Sequence, residues 1–249
     1  MSHPPDPTSP TMLAKVRKLL AKAEDPATTP EEAELYTAKA ADLMAAYGID
    51  RALLALADPS VDVVGDRVVV LDRPYAAEKC SLLAAVALEL RCRAVRRTRY
   101  PDGAKELSLH LFGHRSDLER VEILFTSLLV QAMHALVRTP VPPWEHAAAF
   151  RRSWLIGFGT AVAQRLAEAE RRAASDAGER FESRGTSSAL VLADRSARVD
   201  RAVGEEYPDL QAARPRRLSG SGHVDGWAAG QRADLGGTRL RSGHRELSG

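Results

Sequence analysis

The sequence predicts an α+β protein: an N-terminal helical hairpin, a central β-α-β-β-α unit with a small three-stranded sheet, a long C-terminal helix and a Gly/Arg-rich tail. Three observations lead there. Apolar residues recur at helical spacing through the first 57 residues and again beyond residue 117. Between those segments, Cys92–Tyr100 and Glu106–Phe112 read as two strands around the turn Pro101-Asp102-Gly103. From Arg214 onward the chain is Gly, Arg and Ser with little to bury. The 249 residues suit one or two domains, and a hydrophobic fraction of 45% places most of them among folding sequences. Three regions are expected: a helical hairpin over 11–57, an α+β unit over 62–206, and a mostly flexible basic tail over 207–249.

The first helix is predicted over Met12–Ala23, because Leu13, Val16, Leu19 and Leu20 share one face. Asp25-Pro26 ends it. Thr29-Pro30-Glu31-Glu32 starts the second, with a capping threonine, proline at the first helical position and a glutamate three residues on. That helix is expected to stop near Tyr47, with Gly48 as its cap and a short helix from Asp50 to Ala57 following. A strand fits Arg67–Leu71, and Pro74 opens a helix to Leu90 whose Leu82, Leu83, Val86 and Leu90 face the core. In the return strand Leu107, Leu109 and Leu111 alternate with Glu106, Ser108 and His110. Ser116 or Asp117 caps a long helix to Val137. Residues 139–143 form a proline-rich turn, a further helix spans Ala147–Ser175, residues 173–188 read as loop, and Ala197–Glu206 as a short helix. The tail is expected to be mobile outside Val224–Ala229.

Net charge is +2, so overall charge points to no particular partner and local distribution matters more. Cys80 and Cys92 make no paired framework and read as reduced, partly buried thiols. The N-terminal residues lack the pattern of a secretion signal, and no apolar run reaches the length of a membrane span. The expectation is a cytoplasmic protein with no membrane partner and no cofactor.

Val16–Ala23, Glu31–Ala33, Ala38–Ala41, Leu43-Met44 and Tyr47-Gly48-Ile49 together resemble DUF2786, an actinobacterial and phage-associated domain of unknown function. There a Lys/Leu-rich helix leads into a Glu/Ala-rich helix that ends in a Leu-Met and Tyr-Gly pattern. Leu111–His114 with Asp117, Phe150–Trp154 with Gly157-Phe158, and Gly226–Gly236 resemble the companion domain that commonly follows it. The resemblance implies a domain map and no activity.

The densest chemical signal is the basic strand. Alternation places Arg93, Val95, Arg97 and Arg99 on one face, and Cys92, Ala94, Arg96, Thr98 and Tyr100 on the other. Residues two apart on a strand are spaced about 6–7 Å, similar to successive phosphates of one nucleic-acid strand. Guanidinium suits phosphate, Tyr100 can stack on a base, and Lys105 adds a charge at the turn. The same charges can instead protect an edge strand from aggregation. The tail adds seven arginines against three acids over residues 211–249. The basic first helix faces an acidic second helix, which favours mutual neutralisation.

Two other chemistries are conceivable. Cys92, His110 and His114 have ligand-type side chains near one hairpin, without the spacing of a known zinc motif. His114, Ser116 and Asp117 supply triad-type residues, but no directed base or oxyanion site is visible, and no catalytic residue is assigned. Trp154 is expected to anchor its helix, Trp144 to pack beside the proline-rich turn, and Trp227 to dock the tail on the body or on a partner.

The sequence therefore favours an accessory protein, more readily a non-enzyme, that binds DNA or RNA through Arg93, Arg97, Arg99, Tyr100 and Lys105. The alternatives are a protein-interaction or scaffold module, with self-association included, and a metal-dependent hydrolase of unknown substrate.

Overall fold

The computed structural model describes residues 9–23, 30–182, 187–211 and 219–233. Helices α1 (Ser9–Ala23) and α2 (Pro30–Ala57) pair with each other. Their Val16, Leu20, Met44 and Tyr47 enter the main hydrophobic core. The expected break at Gly48 does not occur, and α2 runs through it to Ala57. Gly48 is buried under a side chain of another helix, so its missing Cβ serves close approach rather than termination.

The central unit follows the predicted order: β1 (Val64–Leu71), α3 (Ala76–Glu89), β2 (Arg93–Arg99), β3 (Glu106–His114) and α4 (Arg115–Arg138). The sheet is antiparallel with order β1-β3-β2, so the leucine-alternating strand is central and the basic strand is an edge. Opposed residues share a face. Leu71, Leu109 and Leu111 belong to the main core, with Val69, Ala94 and Leu107 packed against it. Val86, Leu83, Leu124 and Leu128 of α3 and α4 complete that layer. Burying about 100 Å² of apolar surface per side chain stabilises by about 2–3 kcal/mol each.

Helix α3 starts at Ala76 rather than at Pro74, because Tyr75 adopts left-handed backbone angles that the helix cannot include. By length and composition α4 would qualify as a membrane-crossing helix, against the expectation that no such run exists. Here its Val121, Leu124, Leu128, Ala132 and Leu136 are buried in the core.

Helix α5 (Ala147–Glu182) is longer than expected, and α6 (Ser188–Glu206) begins nine residues before the predicted start. Val191, Arg195 and Val199 stand four apart on the buried side of α6. An arginine in the middle of that stripe makes its periodicity illegible without a partner for the charge. Val199, with Ala202, Val203 and Tyr207, packs on Val95 and Phe112 and so covers part of the second face of the sheet.

Within the tail, α7 (His223–Arg232) packs along α5. Gly222, Gly226 and Gly230 recur every four residues and lie against Phe150, Trp154 and Phe158. A Cβ on Gly226 would stand 2.6 Å from the Trp154 carbonyl carbon. The tail segment 223–232 is thus ordered by backbone-to-backbone packing. The rest of the expected flexible tail, 212–218 and 234–249, lies outside the described residues.

Candidate nucleic-acid interface

The basic strand has the alternation expected of it. In register, Arg93 faces Phe112, Arg97 faces Ser108 and Arg99 faces Glu106, all on the face that α6 partly covers. Arg93 is engaged within the chain: its Nε and Nη2 donate to the Asp200 carboxylate of α6 at 2.6 and 3.2 Å. The row of three is therefore shortened to two. Arg97 and Arg99 lie beyond that pair, toward the turn, and no salt bridge among the described residues engages them. Arg99 is exposed and Arg97 half-buried; Arg96 projects from the opposite face and is exposed. Tyr100 is 64% exposed, and the turn from Pro101 to Lys105 is open to solvent throughout.

The three metal candidates do not converge. Cys92 lies on the core side, its sulfur filling the space left by the missing Cβ of Gly113. Burial pushes its thiol pKa well up, so it is a neutral core thiol. His110 is on the other face, between the Asp66 carboxylate at Nε2 (2.8 Å) and the Tyr207 hydroxyl at Nδ1 (2.7 Å). A carboxylate only accepts, so Nε2 carries the hydrogen. His114 donates from Nδ1 to the Asp62 carbonyl at 2.8 Å. Among the described residues, no group of three or more His, Cys, Asp or Glu side chains is placed to hold a metal.

Ser116 and Asp117 do not serve as the predicted helix cap, nor do they address His114. The Ser116 amide and hydroxyl donate to the Asp62 carboxylate at 3.0 and 2.7 Å, so Asp62 caps α4 from outside the helix. Asp117 accepts from Arg120 and from Arg195, both at 2.9 Å. Arg195 also reaches Asp62 at 2.8 Å. Arg120, completely buried, spans Asp117 and Glu170, and Glu170 meets Arg91 at 2.7 Å. Burial would raise the Asp62 pKa, but the Ser116 hydrogen bonds and Arg195 outweigh it and hold the carboxyl below its usual range. The Glu170 and Asp117 carboxylates likewise outweigh burial at Arg120 and hold it protonated.

This chain of buried charges ties α4, α5, α6 and the segment before β1 together. The sequence reading missed it. One signal was present: Arg120 lies in the apolar stripe of α4, three residues after Asp117 and next to Val121. An arginine at a core position demands buried acids.

The tryptophans divide differently from expectation. Trp154 is buried and stacks on Phe158, as predicted. Trp144 is 87% exposed rather than packed beside the proline-rich turn. Trp227 is 40% exposed, and the glycine face of its helix lies against α5.

Residues 11–51 match the model of a family described as protein of unknown function, DUF2786. The matched segment is α1 with α2 as far as Arg51, and it includes the buried Tyr47, Gly48 and Ile49. The hairpin and the buried charge cluster lie outside it. No curated protein and no solved structure matches the chain.

Proposed function

We propose that this DUF2786-containing chain is an accessory nucleic-acid-binding protein whose contact surface is the turn end of the β2–β3 hairpin. The observation that carries the reading is an edge strand with Arg96, Arg97 and Arg99 free of ion pairs among the described residues, continuing into the exposed Tyr100 and Lys105. Arginines on both faces of one edge can follow a phosphate backbone from either side, and the aromatic ring at their end offers a stacking platform. Arg93 supports the surface from behind by pinning β2 to α6. Such contacts supply affinity that falls with salt and carries little sequence information.

Fluorescence anisotropy with single- and double-stranded DNA and RNA, titrated at low and moderate salt, tests the reading. Binding should weaken steeply with salt and drop in the Arg97→Ser/Arg99→Ser double variant. Equal binding by that variant, or none by the wild type with all four probes, rejects it.

A further inference from the structure

A cleft of about 560 Å³ opens beside the same hairpin, between the β1–α3 connection, the start of β3 and the first turn of α5. We infer that it is a binding pocket for a nucleoside monophosphate unit, either the free nucleotide or the phosphorylated end of a strand. The strand-end case rests on the hairpin reading above; the free-nucleotide case stands without it.

Size and lining both fit. Ligand pockets run from about 300 to 1,000 Å³ and are mostly apolar with a few placed polar groups. Here Leu71 and Leu107 form an apolar floor at the end of the sheet. Three cations reach the cleft from three separate elements: Arg73 after β1, Lys105 from the hairpin turn, and Arg152 from α5. All three are exposed, and no described residue pairs with them. They outnumber the single lining carboxylate, Glu78, which is buried. Three exposed cations against one buried carboxylate leave the cleft net positive, and a phosphomonoester carrying about −1.5 to −2 charges balances that excess.

Two further features favour a nucleotide over a bare anion. The partly buried ring of Tyr75 lines the cleft and provides a face for a base. The first turn of α3 also lines it through Ala76 and Ala77, whose backbone N–H groups no side chain caps, although Glu78 in the same turn offsets the positive helix end. Lys105 belongs both to the cleft and to the hairpin surface. A strand lying along Arg97 and Arg99 would therefore deliver its end to the cleft.

The test uses the full chain in equilibrium dialysis and anisotropy. The probes are a nucleoside monophosphate, the matching nucleoside, inorganic phosphate, and oligonucleotides with and without a terminal phosphate. Arg73→Ser/Arg152→Ser is compared with Arg97→Ser/Arg99→Ser, with thermal melting as the check on folding; Arg73, Arg99 and Arg152 are exposed, Arg97 is half-buried, and no salt bridge among the described residues engages any of the four, so both variants should melt close to the wild type. The monophosphate should bind at least about tenfold tighter than the nucleoside or phosphate alone, the scale of one or two charge-assisted hydrogen bonds. That preference should vanish in the cleft variant and survive in the hairpin variant. A terminal phosphate should strengthen oligonucleotide binding only where the cleft is intact.

If the monophosphate binds and oligonucleotides do not, the cleft stands and the hairpin reading falls. If oligonucleotides bind through Arg97 and Arg99 while the monophosphate does not bind, and a terminal phosphate changes nothing, the cleft is overturned and the hairpin stands. Monophosphate binding unchanged in the Arg73/Arg152 variant also overturns it.

Discussion

Gly48 of α2 lies directly under the guanidinium of Arg120 in α4: a Cβ at position 48 would be 2.6 Å from Arg120 Cζ. Arg120 is 0% exposed and is held by Asp117 and Glu170, so it has nowhere to retreat. The N-terminal helical pair thus meets the body at a glycine set against a buried charge.

In an open helix, Gly→Ala stabilises by about 1 kcal/mol. Gly48→Ala is expected to do the opposite here, losing about 1–3 kcal/mol through overpacking. Chemical denaturation measures it. A variant as stable as the wild type would mean that Arg120 can shift without losing its partners.

The arginine–aspartate links made by Arg195 and by Arg93, which tie α6 to the rest of the fold, should differ sharply in weight. Arg195→Met leaves Asp62 and Asp117 buried without their shared cation and is expected to destabilise by about 3–5 kcal/mol. Arg93→Met breaks a pair that is partly open to solvent, and the loss should stay under about 1 kcal/mol. Similar losses in the two variants would contradict the burial argument.

Asp62 also sets a pH dependence. Its folded pKa lies below the ordinary value of 3.8, so the folded state holds the proton less readily than the unfolded chain does. Its contribution is fully present above about pH 4 and is lost as pH falls through the lowered folded pKa. Melting temperatures between pH 6 and pH 3 should therefore fall less steeply for Asp62→Asn than for the wild type, from a lower starting point. Parallel profiles would show that the cap carries no linkage.

Helix α7 should detach when its glycine face is filled. Gly226→Ala places a methyl 2.8 Å from Trp154 Cα, against backbone that cannot move aside. Limited proteolysis should then cut between residues 219 and 233 much faster than in the wild type, while the melting of the rest changes little. Trp227→Ala, which removes a side chain that is 40% exposed, should leave cleavage nearly unchanged.

Much of the architecture was legible along the chain because it is local. Turn chemistry at Pro101-Asp102-Gly103, alternation through Leu107, Leu109 and Leu111, and the helical stripe of α4 each depend on neighbours a few residues away. The basic strand was legible for the same reason, and the two faces of its arginines follow from period two alone. What escaped depends on partners distant in sequence. Arg195 and Asp62 are 133 residues apart, and Arg93 and Asp200 are 107 apart. Before folding, Gly48 reads as a helix stop, Asp117 as a cap and Arg93 as a free cation. Packing turned the first into clearance for a guanidinium, the second into a buried counter-ion and the third into a strut. A residue's backbone preference is a property of the residue, whereas the use of its charge or of its missing side chain depends on what folding brings against it.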